Sequence, residues 1–258
     1  MNTTSNPFSL QWAKDRLIES GAESWARPLW VALTGRRPSL TDAELSKVMA
    51  RVLKPNSICI DVGAHKGLIV DDFIRHAPQG TFHAFEPIPY LARLLRRKYR
   101  SNPRVKLYEL GLSDSAGPTT FYINKSEMGY SSLAAPDHNT ASKDVETCTV
   151  EIRRLDDLLP EARPDLIKID VEGAELGVLR GAKKMLARSR PVVAFEHALG
   201  SADRFGTKPE DVFDFLAGSD FQISLMARYL ANELPLTRSE FCNEFYRHSN
   251  YFFIAYPK

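Results

Sequence analysis

Five short segments of this 258-residue chain hold residues suited to chemistry. The first is Ile60-Asp61-Val62-Gly63-Ala64-His65-Lys66-Gly67, an apolar run that meets an acid and opens into a glycine turn. Gly63 lets the backbone turn sharply and a ligand approach closely, and Gly67 allows tight packing where the next helix begins. The C-terminal end of a buried strand beside a helix N-terminus is where open α/β sheets bind nucleotides. A dinucleotide loop reads G-x-G-x-x-G. Here the spacing is D-x-G-x-x-x-G, and its acid suits a cationic amino-acid moiety better than a pyrophosphate.

The second segment is Ala84-Phe85-Glu86-Pro87. Glu86 closes a second apolar run about 20 residues after Gly67, where an acid accepts hydrogen bonds from both hydroxyls of a ribose. The third, Gly111-Leu112-Ser113-Asp114, is a small polar loop that could meet an adenine or be ordinary turn chemistry. The fourth is Leu166-Ile167-Lys168-Ile169-Asp170-Val171-Glu172-Gly173-Ala174-Glu175. Asp170 and Glu172 end a strand, and two carboxylates there can serve a base, a divalent metal or an ammonium group. Glu172 reads equally as a helix-start acid favoured by the dipole. The fifth is Phe195-Glu196-His197. His197 is a candidate general base, because its unperturbed pKa lies near neutrality, although a lone histidine is more often structural. Asp170 and His197 are thus the two candidate catalytic groups. Asp170, Glu172 and Glu196 are the lesser candidates for a metal.

These residues need elements to place them. Ser57 to Val62, Thr81 to Glu86 and Val105 to Leu110 read as buried strands, separated by helices over about 67–77 and Pro89 to Arg100. That β-α-β-α-β alternation implies a parallel sheet with right-handed crossovers. Pro118 to Ile123 and Val145 to Ile152 read as strands of an antiparallel excursion, joined by the polar stretch Asn124 to Asp144, whose length suits a functional loop. The parallel pattern resumes at Asp165 to Val171, a helix at about 173–188 and a strand at Pro191 to Glu196. Thr207-Lys208-Pro209-Glu210 opens another helix with a possible capping box, and Phe221 to Met226 and Tyr251 to Tyr256 are the last strands.

Ahead of the sheet, residues 8–30 carry one apolar stripe at helical spacing. Thr41-Asp42-Ala43-Glu44 is a capping box for a helix running to about Leu53. The expected organisation is a helical extension over 1–54 and an α/β domain over 55–258. The extension could wall the site or form a homodimer contact.

Composition bounds the function classes. Apolar residues make up 43% and charged residues 26%, as in an ordinary globular protein. A net charge of +2 suggests no polyelectrolyte partner. The basic cluster Arg93 to Arg100 reads as a solvated helix face, with Arg93, Arg96, Arg97 and Lys98 outward. Nucleic acid is therefore not expected as a partner. Cys59, Cys148 and Cys242 are scattered and form no C-x-x-C, which fits reduced thiols in the cytoplasm. The first ten residues do not read as a signal peptide, and no apolar stretch approaches the ~20 residues of a membrane span.

Taken together, Asp61-Val62-Gly63-Ala64, Phe85-Glu86-Pro87, Leu112-Ser113-Asp114, Gly129-Tyr130-Ser131-Ser132 and above all Lys168 to Glu175 with Val178-Leu179-Arg180-Gly181-Ala182 resemble the FkbM-type family of S-adenosylmethionine-dependent methyltransferases. The resemblance covers about residues 56–256. It implies a Rossmann-like fold with a seven-stranded, mostly parallel sheet whose last strand, Tyr251 to Tyr256, is antiparallel. It implies S-adenosylmethionine as cofactor, with Asp61, Gly63 and Gly67 at the methionine and ribose region, Glu86 at the ribose hydroxyls, Leu112 and Ser113 bordering the adenine, Asp170 facing the methionine end or the acceptor, and Ala64, His65 and Pro87 also in contact with the cofactor. It implies O-methylation of a sugar, polyketide or other small natural product. Two positions depart from the family pattern: His65 stands where Asn is usual, and Ile69 and Val70 stand where a Ser or Thr is usual. These departures motivate the alternative of a binding or scaffold protein without turnover. An NAD-dependent oxidoreductase and a nucleic-acid methyltransferase are weaker rivals, since G-x-G-x-x-G and an Asn-Pro-Pro-Tyr-type motif are absent.

Overall fold

The computed structural model describes residues 40–125, 131–135 and 145–258. The helix expected over residues 8–30, Gly129, Tyr130 and most of the 124–144 stretch lie outside the described residues.

Buried apolar runs become the central strands. They are β1 (Ile58–Val62), β2 (Thr81–Phe85), β3 (Val105–Tyr108), β7 (Leu166–Ile169), β8 (Val192–Glu196), β9 (Phe221–Ser224) and β10 (Phe252–Pro257). Among the described residues these seven form one sheet in the order β3-β2-β1-β7-β8-β10-β9. The first five are parallel, and β10 runs antiparallel to both β8 and β9. This is the fold that the sequence implies. The chain winds outward from β1 through β2 to β3, and in the opposite direction through β7 to β8. The switch point therefore falls between β1 and β7, where open α/β sheets leave a crevice at the strand C-termini.

The α-helices among the described residues are α1 (Leu40–Val52), α2 (Leu68–His76), α3 (Pro89–Lys98), α4 (Leu155–Leu158), α5 (Glu175–Gly181), α6 (Lys183–Ser189), α7 (Pro209–Gly218), α8 (Met226–Leu230) and α9 (Arg238–Tyr246). Alternate residues of each strand feed opposite faces of the sheet. Ile60, Val62, Phe85, Ile167, Ile169 and Phe195 belong to one core cluster, with residues of α5, α6, α7 and α9. Cys59, Phe82, Ala84, Leu166 and Ala194 belong to the other, with Leu45, Val48 and Met49 of α1 and Phe73 of α2.

A second sheet carries the expected excursion. β5 (Gly117–Asn124) pairs antiparallel with β6 (Val145–Arg153), and the short β4 (Gly111–Leu112) pairs with the other side of β6. The third expected strand thus stops at Tyr108, and the chain changes sheets.

Several helix boundaries differ from expectation. α1 begins at Leu40, so Thr41 lies in its first turn rather than capping it. The helix expected over 173–188 is divided at Ala182 into α5 and α6. α7 takes Lys208 as its cap, because Pro209 occupies the first helical position, where its missing N–H is harmless. Asp211, not Glu210, accepts the cap N–H at 3.0 Å. α9 was not anticipated, although Thr237 and Glu240 form a capping box there with reciprocal bonds of 2.7 and 3.3 Å. Among the described residues no helix is long and apolar enough to cross a membrane.

Candidate functional site

A cleft of about 270 Å³ opens at the switch point. Its walls come from the turn after β1, the end of β2, the end of β7, the first turns of α1, and Phe121, Ser131 and Phe252. The volume is close to the small end of ligand sites, which run from roughly 300 Å³ upward.

Strand parity explains what gathers there. Asp61 is paired directly with Lys168 across the β1–β7 ladder, and Ile169 with Phe195 across β7–β8, which brings Asp170 beside Glu196. Asp61, Glu86, Lys168, Asp170 and Glu196 all have the parity of the Cys59, Ala84, Leu166 and Ala194 face. One face of the sheet thus carries four acids and a buried lysine to the same edge.

Lys168 is the residue that sequence reasoning missed. Its side chain is 6% exposed. The ammonium donates to the Gly63 carbonyl at 2.9 Å and lies 3.3 Å from Asp61 and 3.4 Å from Asp170. The available signal was a lysine inside the otherwise apolar run Leu166 to Ile169, since a buried charge requires partners. Burial opposes the Lys168 charge, but Asp170 and Asp61 outweigh it and hold the ammonium protonated.

Glu86 is buried, and each oxygen accepts one backbone N–H: His65 at 2.8 Å and Ile88 at 2.9 Å. Every carboxylate oxygen has a second lone pair to offer a ligand. Burial raises its pKa to about 7, against the pull of those two amides. Asp61 is buried behind the turn. Neither of its oxygens has a hydrogen-bond partner among the described residues, the contact with Lys168 being ionic. Burial raises Asp61 to about 6.

The oxygens of Asp170, Glu172 and Glu196 approach within 4.8 Å of one another. Burial also works against the charge on Asp170, yet Lys168 and a hydrogen bond from Glu196 bring its pKa below the ordinary value. Glu196 moves the other way, to about 10, through burial and then the charge on Asp170. The charge on Asp170 thus disfavours a second charge on Glu196. Burial and Asp170 raise Glu172 to about 8. An edge this rich in acid fits a ligand that brings its own positive charge.

The expected site residues separate into groups. Gly63, Ala64, His65, Glu86, Pro87 and Asp170 line the cleft. Leu112 lines a smaller pocket of about 30 Å³ that shares Gly63, Pro87, Phe121 and Val171 with it. Asp61 and Gly67 stand behind the lining. Gly67 has φ 78°, and a side chain there would press on Tyr99 and Leu95. Ser113 lines neither pocket: it packs against Gly177 and Gly181 of α5, which accounts for those two glycines. His197 is also removed from the cleft. It follows Glu196 by one residue, so it has the opposite parity and stacks on Phe245 and Phe241 at centroid distances of 4.7 and 6.0 Å. It is fully buried, neither ring nitrogen has a partner among the described residues, and burial lowers its pKa to about 4. Lys98, read as outward, has a side chain only 1% exposed, because it turns back to Asp71 at 2.6 Å.

A doubly wound sheet with an acid-lined cleft at its switch point defines a Rossmann-like domain of the methyltransferase type. Residues 61–223 match the methyltransferase FkbM domain, and the chain belongs to that family. It is 28% identical over 168 residues to the 2-O-methyltransferase NoeI of Sinorhizobium fredii, covering 60% of this chain and 69% of that protein. It is 35% identical over 161 residues to the methyltransferase sdnD of Sordaria araneosa, covering 50% of this chain and 61% of that one. A solved FkbM methyltransferase from Methylobacillus flagellatus aligns with a TM-score of 0.49 at 16% identity, over 80% of this chain and 45% of that one. The chain thus spans less than two thirds of sdnD and of the solved protein.

Proposed function

We propose that this methyltransferase uses S-adenosylmethionine to methylate a hydroxyl oxygen on a small acceptor such as a sugar, a polyketide or a related natural product. The observation that carries the reading is Glu86, a buried carboxylate fixed by two backbone amides at the rim of an acid-lined cleft. Such a carboxylate can accept both ribose hydroxyls, while the acids around Lys168 suit the sulfonium and ammonium charges. The name of NoeI, a 2-O-methyltransferase, supports oxygen as the acceptor atom.

The cofactor would supply a methyl group already activated on a positive sulfur. The protein's task is then positioning: the acceptor oxygen must be held in line with the carbon–sulfur bond. Asp170 faces the cleft, with a side chain 36% exposed, and is held ionised by Lys168. With the cofactor bound, Asp170 would accept the proton that the acceptor hydroxyl gives up on methylation. A weak base suffices, because the hydroxyl becomes strongly acidic as it gains the methyl group. Glu196, whose charge Asp170 disfavours, would when protonated donate to Asp170 and orient the base.

The test is calorimetry with S-adenosylmethionine, followed by methyl-labelled cofactor against a panel of sugars, polyols and phenolic or polyketide hydroxyls. Absence of nucleoside binding would overturn the reading. Binding with no transfer to any acceptor would favour the non-catalytic alternative.

A further inference from the structure

Two buried ammonium groups grip the turn between β1 and α2 from opposite ends. At its start, Lys168 of β7 lies 2.9 Å from the Gly63 carbonyl and 3.5 Å from that of Val62. At its end, Lys98 of α3 lies 3.1 Å from the Lys66 carbonyl and 3.5 Å from that of Gly67. Their side chains are 6% and 1% exposed. Each is backed by carboxylates: Asp61 and Asp170 behind Lys168, and Asp71 behind Lys98. The Tyr99 hydroxyl, with one proton to donate, lies 2.7 Å from the Gly67 carbonyl and 2.8 Å from Asp71.

Burying an ammonium group is costly even when it is paired, so two on one short turn call for a reason. The turn itself provides it. Gly63, His65 and Gly67 all have positive φ, a backbone that holds only when its surroundings over-determine it. The amides of Gly63 and Ala64 are tied to Phe85, that of His65 to Glu86, and that of Gly67 to Ala64. The two lysines occupy the carbonyls at both ends. The cleft-lining residues Gly63 to Lys66 lie between these anchors.

We infer that Lys98 and Lys168 form a clamp that sets the glycine turn in its cleft-lining shape before any ligand arrives, and that both are positioning residues for the cofactor. This inference rests on the cofactor reading above. Pre-setting the turn removes an ordering cost that binding would otherwise bear.

Amide hydrogen exchange on the ligand-free full chain reads the clamp directly, because Gly63, Ala64, His65 and Gly67 all have hydrogen-bonded amides. The double variant Lys98→Met/Asp71→Asn removes both charges, so it strands no buried carboxylate. Lys168→Gln keeps a neutral donor near Gly63. In both variants exchange at these four amides rises about tenfold, while β8 and β10 keep their protection. Affinity for S-adenosylmethionine and for S-adenosylhomocysteine, measured by calorimetry, falls about tenfold for each, as for loss of a hydrogen bond to a charged group. The single variant Lys98→Arg, which retains the charge, recovers part of both effects. Unchanged exchange overturns the clamp. Faster exchange with undiminished affinity overturns its positioning role. If the wild type binds neither nucleoside, the cofactor reading fails separately and exchange alone decides the clamp. Should the double variant not fold, Tyr99→Phe deletes only the hydroxyl and carries the same exchange readout.

Discussion

Glu86 accepts the backbone N–H of His65 at 2.8 Å, so the carboxylate that closes β2 also holds the turn that follows β1. In Glu86→Gln, an amide donor replaces one acceptor and faces a backbone N–H of His65 or Ile88. Affinity for S-adenosylmethionine should fall by roughly tenfold to a hundredfold, the worth of a hydrogen bond to a charged group. Calorimetry measures it, with circular dichroism confirming that the fold persists. Wild-type affinity in this variant would remove Glu86 from the ribose.

The buried acids make stability pH-dependent with a definite sign. Burial first of all raises Glu86 to about 7, Glu172 to about 8 and Glu196 to about 10. In the unfolded chain they titrate near 4, so above that pH the folded chain binds more protons than the unfolded one, and stability falls as pH rises through the folded values. His65 and His197, lowered to about 4 by burial, act oppositely: their contribution is lost as pH falls from about 6.5 toward 4. The acids therefore act alone above about pH 6.5. The urea midpoint of the free protein should drop between about pH 6.5 and 8, and a rise would contradict the assignment. A cationic ligand favours the ionised acids, so binding near neutrality should release protons. Calorimetry in buffers of different ionisation enthalpy reads that release.

Asp170→Asn should lower single-turnover methyl transfer by about a hundredfold or more, the usual worth of a positioned proton acceptor. Glu196→Gln keeps a donor to Asp170 and should cost far less. An Asp170→Asn rate equal to wild type at saturating acceptor would exclude Asp170 as the base.

His197→Phe should leave transfer unchanged. The ring lies among Phe241 and Phe245, and its two nitrogens lack partners among the described residues, so an apolar ring of similar shape replaces it without loss. Chemical denaturation at neutral pH should show equal or greater stability. Loss of turnover in a folded His197→Phe variant would return the imidazole to the mechanism. By contrast, His197→Ala opens a cavity and should cost about 3 kcal/mol, by analogy with large-to-small core changes.

Much of this arrangement was legible in the chain. The runs Ile58 to Val62 and Leu166 to Ile169 announce strands buried on both faces, and the glycine turn and Glu86 announce a cleft at their ends. Parity alone also separates Glu196 from His197, because neighbours on a strand face opposite sides of the sheet. Helix α9 was equally legible from the box Thr237 to Glu240. The packing at Gly67 was legible too, but its partner Tyr99 was not, nor was the placement of Ser113 against the glycines of α5, because these contacts lie distant in sequence.

The sequence by itself determined the strands, the glycine turn and the family, since each is written in contiguous residues whose period and spacing are local properties. Only the tertiary structure decided which charges meet. Register placed Asp61 beside Lys168, the β7–β8 ladder brought Asp170 to Glu196, and the last turn of α3 sent Lys98 inward to the far end of the glycine turn. An electrostatic partnership depends on distance and burial, and residues remote in the chain acquire both only when the sheet and its covering helices are assembled.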